Sequence, residues 1–120
     1  MTNNEIMMKM YDEDFIRDVQ FMKYHLHHDV ELEWHSSQGH VKWGKAEMLK
    51  FSDEVATNFS TSKFDIKYFF EQGNTISLHY HYFASTFENP NELFLVGRFA
   101  TVWEFKDNKM FKCYQISQVD

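Results

Sequence analysis

The side chains best suited to chemistry in this 120-residue chain are His79 and His81, two imidazoles that a β-strand would project from one face. Imidazoles titrate near neutral pH, so such a pair can act as acid and base or hold a metal ion. A metal asks for a third ligand. The run beyond offers Ser85 and Thr86, and Glu88 arrives too late, so neither a metal nor a cofactor is expected. Tyr114, Gln115 and Ser117 put polar tips into the last apolar run, where they can orient a guest by hydrogen bonds. His25, His27 and His28 end the first helical region, where imidazoles suit the helix dipole without any further role. His35 has the opposite parity to Val30, Leu32 and Trp34, which places it at a rim, and His40 and Trp43 flank a loop. No Gly-rich phosphate loop, nucleophile elbow, Cys-x-x-Cys pair or His-Glu-x-x-His helix occurs, which sets aside most enzymes with sharp local motifs.

The elements that must position these residues follow from hydrophobic period. Thr2 and Glu5 form a capping box ahead of Ile6, Met7 and Met10, predicting a first helix. From Asp14, the spacing of Phe15, Val19, Met22 and Leu26 predicts an amphipathic helix, continuous with the first or kinked near residues 11 to 13. From Asp29 the period becomes two, giving a strand through Trp34 that Ser36 to Gly39 ends. Met48, Val55 and Phe59 share a face of a second long helix after Gly44. Strands are then predicted over Lys63 to Glu71, Thr75 to Thr86, Leu93 to Lys106 and Met110 to Val119, with turn chemistry at Gly73-Asn74, Glu88 to Asn91 and Asp107-Asn108. Helices, one short strand, a helix and a four-stranded meander make a single α+β domain over residues 1–120.

Composition bounds the partners. Apolar residues at 43% and charged residues at 25% describe a globular chain rather than a disordered one. Thirteen Phe, six Tyr and three Trp against four Gly and one Pro imply long regular elements around an aromatic-lined interior. A net charge of −6 with no Lys/Arg block argues against a nucleic-acid surface. Met1 to Met10 carries no secretory signal, no run of about 18 apolar residues exists to enter a membrane, and the lone Cys113 makes no internal disulfide, so a cytoplasmic protein is expected. Along residues 94–105 both alternate sets are largely apolar, and two helices cover only one face, so a sheet-to-sheet homodimer is expected through the outer face, with Arg98 and Glu104 paired across it.

The order of elements resembles the nuclear-transport-factor-2-like superfamily, especially its SnoaL-like branch. The resemblance spans the chain and rests on HHDVELEWHSS at His27 to Ser37, GHVKWGKAEMLKF at Gly39 to Phe51, and RFATVWEFKDNKMFKCYQIS at Arg98 to Ser117. It implies a cone-shaped fold, a curved antiparallel sheet wrapped around helices with a pocket between them, and a membership ranging from isomerases and cyclases to inactive binding modules. Aligned with the ketosteroid isomerases of that superfamily, the base position falls at or beside Trp34 and the second carboxyl position near Thr101, neither of which supplies that chemistry. The reading that results is a pocket for a small apolar molecule lined by Trp34, His79, His81, Phe83, Trp103 and Gln115. The enzymatic alternative uses His79 or His81 as acid or base with Tyr or Gln donors at a developing oxyanion. A non-catalytic interaction module is the third alternative. A shift of one residue in the strand would exchange His79 and His81 for Tyr80 and Tyr82.

Overall fold

Helix α1 (Asn3–Tyr11) opens on the box its sequence spells: the Glu5 N–H donates to the Thr2 hydroxyl at 3.1 Å, and the Thr2 N–H donates to the Glu5 carboxylate at 2.9 Å. The structure is a computed structural model and describes residues 1–119. The helix expected from Asp14 to Leu26 is divided in two. Asp14 takes a left-handed conformation (φ 64°), Phe15–Arg17 form a single 3-10 turn, and Asp18 then caps helix α2 (Val19–His25) by accepting from the N–H groups of Gln20 and Phe21 at 3.0 and 3.1 Å. The reason is local: a short carboxylate bonds backbone donors better at a helix start than inside a helix.

Strand β1 (Leu26–Ser36) begins at once, so His27 and His28 lie in a strand and not at a helix end. The segment expected as a loop is strand β2 (Gly39–Trp43), paired antiparallel with β1 from Leu32↔Trp43 to Ser36↔Gly39. Its signal is weak because most of its residues are exposed, leaving no apolar alternation to read. Gly39 (φ 123°) makes the tight return possible. Helix α3 (Lys45–Asn58) starts at Gly44, which offers no capping side chain; the Glu47 carboxylate accepts from the Gly44 N–H at 3.0 Å instead.

Strands β3 (Thr61–Gln72), β4 (Thr75–Ser85), β5 (Phe94–Lys106) and β6 (Lys109–Gln118) form the expected meander. The sheet order is β2-β1-β6-β5-β4-β3, antiparallel except where β1 lies parallel to β6. Asp107 (φ 54°) and Asn108 (φ 60°) supply the two positive φ angles that a tight β5–β6 hairpin demands. Register shifts interrupt four of the five strand pairings, including one between Tyr82 and Phe83 opposite β5. Each adds local twist, so the sheet curls around its inner face. On that face Ile76, Leu78, Trp103 and Met110 are fully buried against Ile6, Met7 and Met10 of α1. Cys113 is a buried free thiol. None of the described helices is long and apolar enough to cross a membrane.

Gly97 marks a close approach between β5 and the end of β6. A β-carbon there would stand 2.9 Å from the Gln118 carbonyl oxygen and 3.3 Å from the Phe99 ring. Gly97→Ala should therefore cost about 1–3 kcal/mol in urea unfolding. An unchanged midpoint would show that β5 and β6 have room to part.

Candidate functional site

The curled sheet and the helices enclose a cavity of about 60 Å³. Met10 and Tyr11 of α1 and Met48 and Ser52 of α3 form its roof, and Trp34, Tyr80, Phe99, Trp103 and Gln115 rise from the sheet. A wider vestibule of about 380 Å³ adjoins it, between the β1–β2 hairpin (Ser36, Gln38, Val41) and Phe59 after α3. Trp34, Trp43, Phe51, Val55, Tyr82 and Phe99 belong to both spaces and form the neck between them. The neck is a cluster of rings centred on Trp34, which meets Trp43 edge-on at 5.6 Å and 88° and Phe51 at 5.8 Å and 81°, while Phe99 is tilted at 44° to it.

Polar groups enter this apolar space in three places. At the inner end the Thr101 hydroxyl donates to Gln115 Oε1 at 2.9 Å, and the Tyr80 hydroxyl lies 3.2 Å from Thr101 Oγ1 and 3.5 Å from the same Gln115 oxygen. Both bonds arrive at the Gln115 oxygen, so its amide N–H groups are the donors available to a guest. At the neck the Trp34 indole N–H donates to Ser117 Oγ at 2.8 Å. Deeper in, the Trp103 N–H donates to the Tyr11 hydroxyl at 3.0 Å. Burial pushes the phenols of Tyr11, Tyr80 and Tyr82 and the Cys113 thiol above their ordinary values, so at neutral pH all four stay protonated. No imidazole, carboxylate, ammonium or guanidinium is among the described residues lining the cavity.

The structure brings Trp34, Trp103 and Gln115 together around the cavity. It does not place His79, His81 and Phe83 there. These three share the opposite parity and lie on the outer face of the sheet, His79 opposite Tyr68 and Ala100, His81 opposite Asp65 and Arg98. The expected position of the two imidazoles in the pocket is thus corrected, and Tyr80 and Tyr82 stand in their place. The cause is visible in β4 itself: Ile76 and Leu78, both 0% exposed, have the parity of Tyr80 and Tyr82. Counting alternation from these aliphatic residues, rather than from the imidazoles, finds the right face.

Asp14 is a residue that sequence reasoning missed. Its Oδ2 accepts from the Ser62 N–H at 3.4 Å and faces Arg17 Nε at 3.8 Å, while the Ser62 hydroxyl lies 2.9 Å from the Tyr82 hydroxyl. Oδ1 of Asp14, Nη1 of Arg17 and Oγ of Ser85 are buried without hydrogen-bond partners among the described residues. Burial raises the Asp14 carboxyl to about 6, against the pull of Arg17 and of the Ser62 N–H. Below about pH 4 the group is neutral folded or unfolded, whereas above about pH 6 the fold holds a poorly solvated charge, so stability falls as pH rises between these values. Asn tolerates the left-handed backbone and keeps an acceptor for Ser62. Between pH 4 and pH 7, the unmodified chain should lose about 1–3 kcal/mol more than Asp14→Asn in urea unfolding. Parallel pH profiles for the two proteins would remove the charge from the account.

Comparison with known proteins gives the fold a name. The family model of the SnoaL-like domain matches residues 9–112. No curated protein sequence matches the chain. Among solved structures, IdmH from Streptomyces antibioticus is similar with a TM-score of 0.74 at 9% identity, over 98% of this chain and 92% of that one. An NTF2-like protein of unknown function from Burkholderia pseudomallei K96243 gives 0.66 at 19% identity, over 100% and 92%. TerC, co-crystallised with polyporic acid, gives 0.65 at 21% identity, over 98% and 91%. At these identities the likeness is one of fold. The family model covers most of the sequence, and the chain belongs to the SnoaL-like domain family.

Proposed function

We propose that the chain binds a small, uncharged, largely apolar molecule whose ring sits at the aromatic neck and whose single polar group reaches Gln115. The observation that carries this reading is the combination of a ring-lined neck with one polar cluster at the inner end and no ionic group in the wall. The inner space of about 60 Å³ accepts a substituent rather than a whole ligand, so the ring belongs in the neck and the 380 Å³ vestibule. Co-crystallisation of the similarly folded TerC with polyporic acid agrees with a fold that takes small organic guests. Binding is preferred to proton transfer because the phenols in the wall hold their protons at neutral pH and so offer no general base. A probe pair tests it: 2-naphthol should quench tryptophan fluorescence saturably, and Gln115→Leu should weaken 2-naphthol by about tenfold while leaving naphthalene unchanged. Equal losses for both probes, or no saturable quenching, would count against the reading.

We also propose that the outer face of the sheet joins a second copy. Tyr68, Phe70, Tyr114 and Ile116 stand there 59%, 64%, 47% and 51% exposed, an apolar set that no helix of the chain covers. A two-fold axis lets one such patch cover itself, which is the commonest way a small soluble chain closes an assembly. Light scattering at micromolar concentration should give a dimer, and Ile116→Glu a folded monomer. A monomer before any substitution defeats the proposal.

A further inference from the structure

On the outer face of the β1–β2 hairpin, away from the cavity, three ligating side chains converge. Glu33 and His35 are two apart on β1, and His40 is the direct partner of His35 across the hairpin. Glu33 Oε2 lies 3.0 Å from His35 Nε2 and 3.7 Å from His40 Nε2, and all three donor atoms fall within 4.8 Å of one another. The two imidazoles stack at 4.1 Å with 5° between their planes, and the far side of His35 is buttressed by the Tyr114 ring at 5.4 Å. Lys42 approaches the other carboxylate oxygen, Oε1, at 3.9 Å, leaving Oε2 to the imidazoles.

From this geometry we infer that Glu33, His35 and His40 form a binding site for a divalent transition metal, with zinc the ion it suits best. Ligands held about 2.0–2.2 Å from a tetrahedral zinc stand about 3.3 Å apart, and the two observed separations bracket that value. Two nitrogens and one oxygen suit a borderline ion such as zinc, whereas calcium and magnesium take oxygen sets. Each imidazole presents the Nε2 lone pair by carrying its proton on Nδ1, and a water molecule completes the fourth position. The rings are partly exposed at the surface, and because their planes lie parallel, both must turn about their side-chain torsions to aim their nitrogens at one ion. His27, His28 and Asp29 also lie close together, but the Asp29 N–H already donates to His27 Nδ1 at 3.0 Å, and His28 and Asp29 are largely solvated. That second cluster serves as the control.

The site clamps β1 to β2, and the opposite side of the same hairpin forms one wall of the vestibule. Metal binding is nonetheless independent of any guest in the cavity, so its test does not rest on the reading above. Zinc alone would be titrated into the full chain, free of any polyhistidine tag, against a chromogenic chelator. One equivalent should bind with a Kd below about 0.1 mM. His35→Ala and His40→Ala should each weaken it at least about tenfold, and His28→Ala should leave it unchanged. Cobalt in place of zinc should give visible bands that both the His35 and His40 variants lose, and circular dichroism would show that these surface substitutions leave the fold intact. No saturable binding below that limit, equal affinity in all variants, or loss in His28→Ala alone would overturn the assignment.

Discussion

Strands spaced about 4.8 Å apart make a six-stranded sheet roughly 24 Å across, while each helix laid against it covers only about 10 Å. A flat sheet would leave part of its apolar inner face in water. The chain resolves this mismatch by curling the sheet: register shifts interrupt its pairings, and Gly97 admits the close approach of the Gln118 carbonyl. Curling brings opposite edges of the inner face toward each other, and the space between them is filled with large rings. Phe64 and Tyr82 stack at 4.6 Å, and Tyr80 and Phe99 at 5.2 Å. Rigid rings do not fill a tapering space completely, and what they leave is the cavity and its neck.

Ring packing of this kind buries hydroxyls and an indole N–H, and each such group left unpaired would cost about 1–3 kcal/mol. Their partners therefore fix the geometry as much as the apolar contacts do. Trp103 ties β5 to α1 through Tyr11, while Tyr80 ties β4 to β5 and β6 through Thr101 and Gln115. Tyr82 is held to β3 by Ser62. Together these bonds lock the parity of β4. A shift of one residue would pull three hydroxyl partners away and turn His79 and His81 inward among rings that offer them nothing equivalent.

Much of this was legible wherever the cause is local. The Thr2/Glu5 box, the turn at Asp107-Asn108 and the alternation of Val30, Leu32 and Trp34 act over a few residues, and each appears where its chemistry places it. Trp34 and Gln115 could be assigned to the inner face because each strand has one parity there. Strand β4 was harder, since Tyr80 and His79 are both amphipathic rings and either could line a pocket. Asp18 and strand β2 escaped notice for a different reason. Asp18 sits inside a convincing helical period whose interruption only its capping bonds reveal, and β2 is an exposed edge held by pairing rather than burial. The Asp14, Ser62 and Tyr82 contact joins residues far apart in the chain, which no local pattern encodes.

The same burial that organises the interior also selects what can enter it. Tyr80 and Tyr82 hold their protons because the cavity wall solvates a negative charge badly, and no cation stands among its described residues to offset that cost. An acidic guest faces the same environment: inside, its own acid strength would fall, and it would enter in its neutral form or leave its ionised group in the vestibule. A cationic guest meets rings and no carboxylate among the described lining residues, since Asp14 stands behind Tyr82. The guest proposed for this wall is therefore neutral, with a hydroxyl or carbonyl for the Gln115 amide and a flat apolar body for the neck, and electrostatics and shape both support that proposal.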